Sequence, residues 1–135
     1  MQLKCEAVEQ ITIFLENRAG VVADLCAHLT ERDISIRAMA MLDTIDIGTM
    51  RMVVDRPEQA KEALAAAGAA YVTVQCLALE VPNVPGGFAA VARKMLLAGV
   101  NIEYMYASSM PKADCAMGIF RVSDLEQALK LQYEA

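Results

Sequence analysis

Two short groups in this chain are equipped to hold a small ligand: Asn17 with Gly20 and, 66 positions on, Asn83 with Gly86. Each group lies just ahead of a stretch with helical periodicity. The free N–H groups of a helix N-terminus therefore gather there, together with the positive end of the helix dipole. Such a place accepts a carboxylate or a phosphate. A glycine lets a small molecule approach the backbone, and a carboxamide offers two donors and an acceptor, which suits a zwitterion. The same Asn-x-x-Gly spacing also makes a plain tight turn, and its recurrence keeps the binding reading level with that one. Arg18, on the first turn, either closes over a carboxylate or stays solvated.

Nothing else in the chain has the pattern of a reactive centre. His28 and Cys26 lie two residues apart on one helix and on different faces, so they form neither a nucleophile–base pair nor, without a third ligand, a metal site. No acid/base pair is apparent, so the reading is no enzyme, no catalytic residue, no metal and no cofactor. The methionines of the middle strands, Met39, Met41, Met50 and Met52, read as core or interface fill. Tyr104 and Tyr106 share one strand face and either stack on a ligand or pack; Asp43, Asp46 and Asp55 read as turn residues and a solvated strand end.

The elements that carry these residues follow from periodicity. Residues 8 to 15 are apolar and rich in Ile, Thr and Phe, a buried strand; residues 21 to 32 repeat at helical spacing; residues 34 to 41 and 49 to 54 alternate as strands. Pro57 opens a second helix that stops at Gly68. The order then returns: strand 77 to 81, helix 88 to 98, strand 100 to 107, strand 116 to 122, and a helix from Ser123, the expected N-cap, to about residue 131. Each copy reads β-α-β-β-α-β, which predicts an α+β fold with an antiparallel sheet covered on one face by two helices.

The repeat is also visible residue by residue. Ile36 and Ile102 keep the 66-residue offset, and Glu58-Gln59-Ala60 returns as Glu126-Gln127-Ala128 at an offset of 68. A period this long means two copies of one supersecondary unit and a shared interface. The second copy lacks its own last strand, since little chain follows residue 131. In the first copy, residues 72 to 76 supply that strand and run directly into residue 77. By the same logic residues 3 to 8 complete the sheet of the second copy and run into the strand from residue 8. The expected domains are thus 1–76 and 77–135, joined by strand exchange of the N-terminal segment.

Composition narrows the partners. The chain has 135 residues, 56% hydrophobic and 21% charged, with a net charge of −5. That supports a substantial core and excludes disorder. No Lys/Arg cluster appears, so nucleic acid is an improbable partner. No apolar run reaches the roughly 18 residues of a membrane span, and residues 1 to 6 lack the apolar segment of a signal peptide. Cys5, Cys26, Cys76 and Cys115 form no CxxC pair, and a cytoplasmic protein with reduced thiols is expected.

Glu16-Asn17-Arg18-Ala19-Gly20-Val21, followed by Asp33-Ile34-Ser35-Ile36, resembles the ACT domain, the amino-acid-sensing module of many metabolic enzymes. Asn83-Val84-Pro85-Gly86 with Gly99-Val100-Asn101-Ile102 matches it again. Together the two copies cover nearly the whole chain, which therefore looks like a stand-alone tandem ACT protein of ferredoxin-like units. The resemblance implies ligand sites where the turn of one unit faces the second-strand start of the other. One site would join Asn17, Arg18, Ala19, Gly20 and Val21 to Asn101 and Ile102. The other would join Asn83, Pro85, Gly86 and Gly87 to Ser35 and Ile36. Ala19 stands where the family often has Pro, and Leu15 and Val81 stand where some members have His; these departures favour a ligand with an apolar side chain, or a site without one.

The function expected on this basis is a regulatory sensor of a small amino acid, passing its state to a metabolic enzyme or regulator. The alternative is a structural or protein-interaction module whose site is vacant, and a small ferredoxin-like enzyme ranks last. The family's habits and the high apolar content point to a homodimer.

Overall fold

Apolar residues at every second position of the first strand decide which face the helices cover. Strand β1, Cys5–Glu16, buries Ile11, Ile13 and Leu15 on one side. Helix α1, Val21–Glu31, presents Leu25 and Leu29 to that side, and helix α2, Pro57–Ala66, presents Ala60, Ala63 and Leu64. Each fully buried aliphatic side chain stabilises the fold by about 1.5–3 kcal/mol. The computed structural model describes residues 2–43 and 47–134. The hairpin position Asp46 lies outside the described residues.

Strands β2, Ile36–Asp43, and β3, Ile47–Val54, complete the first hairpin, and β4 runs unbroken from Ala70 to Pro82. Helix α3, Gly87–Leu97, then precedes β5, Ile102–Ser108, and β6, Cys115–Val122, with α4, Leu125–Lys130, last among the described residues. The pairs β1–β3, β2–β3, β4–β6 and β5–β6 are antiparallel. The chain is an α+β protein of two βαββαβ repeats, as the pattern of elements predicts.

Two compact units result: Glu9–Val74, here the first unit, and Met1–Val8 with Gln75–Ala135, the second. In the first unit the strand order is β2-β3-β1-β4, and in the second it is β5-β6-β4 followed by the start of β1. The N-terminal segment therefore belongs with the later residues. Leu3 is buried in the second core, its N–H donates to the Tyr133 carbonyl at 2.6 Å, and the Lys4 carbonyl accepts from Glu80 N–H at 3.0 Å.

Three details differ from expectation. Helix α4 is capped not by Ser123 but by Asp124, whose carboxylate accepts from Gln127 N–H at 3.0 Å. Ser123 is drawn off because its hydroxyl accepts from the N–H of Asn101 at 2.9 Å. Strands β2 and β5 each begin two residues later than alternation suggests, because the residues before them make backbone bonds to the preceding helix: Ile34 N–H to Leu29 carbonyl and Val100 N–H to Met95 carbonyl. Of the four strand methionines, Met50 and Met52 are fully buried, whereas Met39 and Met41 on β2 are nearly half exposed.

Candidate functional site

Both strand-to-helix turns adopt the same backbone. Gly20 has φ +90° and Gly86 φ +87°, each at the N-cap position of an eleven-residue helix that no side chain caps. The left-handed conformation is one that a side chain disfavours, which explains the glycine in both copies. The Gly20 carbonyl accepts from Asp24 N–H at 2.9 Å and that of Gly86 from Ala90 N–H at 3.0 Å, so the first helical turn starts at the glycine in each case. Gly87 is held for another reason: a Cβ there would run into the carbonyl of Pro82.

The turn asparagines are engaged within their own units. Asn17 donates its side-chain N–H to the Asp43 carboxylate at 2.8 Å. Asn83 donates to two carbonyls, Met110 at 3.1 Å and Ala113 at 3.0 Å. Each carboxamide thus braces the turn to the hairpin after the second strand. Asn83 thereby uses both of its side-chain hydrogens and Asn17 one, while the carboxamide oxygen recognises an ammonium rather than a carboxylate. Arg18 turns its Nε to Glu16 at 2.8 Å, and both side chains are exposed.

The strand starts are braced alike. Ser35 N–H donates to the Asp55 carboxylate at 2.9 Å, and its carbonyl accepts from Asp55 N–H at 3.1 Å. Asn101 exchanges the equivalent pair with Ser123. The side chains of Ser35 and Asn101 stay exposed, while Ile36 and Ile102 pack half-buried against the core of their own unit. A register irregularity follows in both copies, between Ile36 and Ala38 and between Ile102 and Tyr104. Asn17, Arg18, Ala19, Gly20, Val21, Ser35 and Ile36 belong to the first unit; Asn83, Pro85, Gly86, Gly87, Asn101 and Ile102 belong to the second.

Sequence reasoning missed the partners of the asparagines, because Asp43, Met110 and Ala113 lie in hairpins of no recognisable shared motif. It also missed Tyr133, a fully buried side chain whose hydroxyl donates to the Ala128 carbonyl at 2.8 Å. Burial pushes its phenol up to about 12, with the nearby Cys5 as the lesser cause. All four cysteines are free thiols. Among the described residues no cluster of three or more His, Cys, Asp or Glu could hold a metal, and no helix is long and apolar enough to cross a membrane.

A repeated βαββαβ unit with an uncapped, glycine-opened helix in each copy defines a paired ferredoxin-like module. The chain belongs to the ACT domain pair family, whose signature matches residues 6–133. ACT domains are regulatory rather than catalytic, and membership supports a regulatory, ligand-binding role. Among solved structures, a protein from Bacteroides thetaiotaomicron is similar at 28% identity with a TM-score of 0.87, over 93% of this chain and 86% of that one. The regulatory subunit of aspartate kinase from Thermus flavus shares the fold at 17% identity and TM-score 0.68, covering 96% and 94%. The ligand-free subunit from Thermus thermophilus does so at 16% and 0.66, covering 89% and 86%. No curated protein sequence matches the chain.

Proposed function

We propose that this protein senses a small amino acid at sites built jointly by its two units. The first site takes Asn17, Arg18, Ala19, Gly20 and Val21 from one unit with Asn101 and Ile102 from the other. The second takes Asn83, Pro85, Gly86 and Gly87 with Ser35 and Ile36. The observation that carries this reading is the paired left-handed glycine at an uncapped helix start, φ +90° at Gly20 and +87° at Gly86. Backbone N–H groups there serve a carboxylate, and the asparagine oxygens serve an ammonium. The first site has a second carboxamide, from Asn101, and is the tighter of the two. A cytoplasmic homodimer that relays occupancy to a metabolic enzyme completes the proposal; two solved structures of similar fold are regulatory subunits of aspartate kinase.

A thermal-shift panel of the twenty amino acids tests it. A ligand at a hundred times its Kd adds about 2.7 kcal/mol of stability. One clear shift, abolished by Asn17→Ala and by Asn101→Ala in a folded protein, supports the joint site. Full affinity in both variants refutes the assignment. A second reading, a protein-interaction module with a vacant site, draws on the commitment of both asparagine nitrogens to bracing hairpins. Silence across the panel favours it.

A further inference from the structure

Four methionines of the first unit form one block. In the β2–β3 pairing Met39 lies directly opposite Met52, and Met41 opposite Met50. Residues opposite one another share a face of the sheet, with Cβ atoms about 4.5–5.5 Å apart. Met50 and Met52 are packed in the core with Leu25 and Leu29 of α1, whereas Met39 and Met41, on the edge strand, are nearly half exposed. The fold does not require sulfur at these places. In the second unit, at offsets of 66 and 68, they hold Met105 opposite Phe120 and Ala107 opposite Gly118.

A thiol joins the block. The ring of Phe88 on α3 lies over Gly118, and in the first unit these positions are Val22 on α1 and Met50 on β3. Cys26 follows Val22 by one helical turn on the same face. Helix α1 returns antiparallel to β1 and so runs the same way as β3. That turn therefore brings Cys26 level with Met52 and its neighbour Met39. The thiol is free and partly buried, and Ala92 stands in its place in the second unit. We propose that Cys26, Met39, Met41 and Met52 form a binding site for one soft monovalent cation, Cu(I). Thiolates and thioethers are soft ligands and select this ion over Mg2+ or Ca2+. Methionine has three rotatable bonds, which lets sulfurs from neighbouring strands turn onto one centre. On binding, the Cys26 S–H bond breaks, the proton passes to water and an S–Cu bond forms; no electron is transferred. The thiolate cancels the charge of the ion, so the complex is neutral beside Leu25 and Leu29. A divalent ion would keep a net positive charge in those apolar surroundings, at a cost. The site uses none of the turn and strand-start residues assigned to the amino acid.

The test is NMR of the full chain with labelled methionine methyl groups, titrated anaerobically and under reducing conditions with Cu(I) supplied as its bicinchoninate complex. The methyls of Met39, Met41 and Met52 are expected to shift saturably, while that of the exposed Met110 stays in place; Zn2+ moves none of them. Competition with bicinchoninate gives the affinity. Cys26→Ala and, separately, Met39→Leu are expected to weaken it at least about tenfold, the loss that follows removal of even an outer-shell partner of a metal. Leucine nearly conserves the volume of methionine, so Met39→Leu keeps the fold. Cys115→Ser, at an exposed thiol, is expected to leave the affinity unchanged. Asn17→Ala does the same, so this site and the amino-acid site fail separately. Methyls of Met39 and Met52 that do not move, full affinity in Cys26→Ala, or loss of binding in Cys115→Ser overturn the proposal.

Discussion

The side-chain nitrogen of Asn83 donates to the carbonyl of Ala113 at 3.0 Å and, through its other hydrogen, to that of Met110 at 3.1 Å. Its counterpart Asn17 reaches a carboxylate instead, that of Asp43. The repeats therefore use one residue for one purpose, tying the turn before the first helix to the following hairpin, but with partners of different chemistry. Backbone carbonyls cannot be titrated or substituted away; a solvated carboxylate can. The brace of the second unit is the firmer of the two.

Asn83→Ala should cost about 1–3 kcal/mol, because it strands the half-buried Ala113 carbonyl, whereas water replaces the exposed bond to Met110. Asn17→Ala should cost less than about 1 kcal/mol, as its partner is exposed and water replaces it. Urea unfolding of both variants, with hydrogen exchange across residues 109–114, makes the comparison. Equal costs would show that the second brace is no stronger.

Asp33 ends α1 with φ +56°, and its counterpart Gly99 ends α3 with φ +74°. An L side chain in the left-handed region costs roughly 1–2 kcal/mol, less for Asp than for most. Asp33→Gly should therefore stabilise the protein by about 1 kcal/mol, the loss of a loose 3.8 Å contact with Arg56 being minor. An unchanged or lowered urea midpoint would contradict this.

Gly87→Ala places a methyl against the Pro82 carbonyl and near Val81. Overpacking of this kind costs about 1–3 kcal/mol. Gly86→Ala meets no atom within 4 Å and is penalised through φ alone. Crystallography or NMR of the two variants should show the turn displaced in the first and kept in the second.

Loss of the α4 cap is the next expectation. Asp124→Ala should cost about 0.5–2 kcal/mol. Ser123→Ala should leave α4 intact and instead speed exchange of the Asn101 amide, whose acceptor it removes. Protection of that amide in Ser123→Ala would refute the assignment.

Tyr133 supplies a pH dependence. Its pKa is raised by burial from 10.0 to about 12, so the folded state prefers the neutral phenol. The sign follows: this contribution is complete below about pH 10 and is lost as pH rises toward about 12. The loss amounts to roughly 2–3 kcal/mol at about 1.4 kcal/mol per unit. Tyr133→Phe should flatten the alkaline decline while losing about 1 kcal/mol at neutral pH with the hydrogen bond to Ala128. A decline of the same size in the Phe variant would place its origin elsewhere.

Much of the architecture was legible because it is local or repeated. Alternation at Ile11, Ile13 and Leu15 and helical spacing at Val21, Leu25 and Leu29 report which side chains share a face, and the core confirms that they do. The fourth strand of the second unit was legible from the offset alone: residues 3 to 8 stand to residue 8 as residues 72 to 76 stand to residue 77. The glycine turns were legible because few residues tolerate φ near +90°.

The choice among near-equivalent hydrogen-bond partners was not legible. Ser123 and Asp124 are both good caps, and only the approach of Asn101 to the Ser123 hydroxyl settles which one serves α4. Asn17 and Asn83 find acceptors 26 and 30 positions away, in hairpins whose sequences share no pattern. Met39 meets Met52, and Met41 meets Met50, only through the register in which β2 pairs with β3. Periodicity and repetition record which way a residue faces, since facing is a property of the local backbone. Partners distant in sequence are decided by packing, where differences of about a kilocalorie select one arrangement from several.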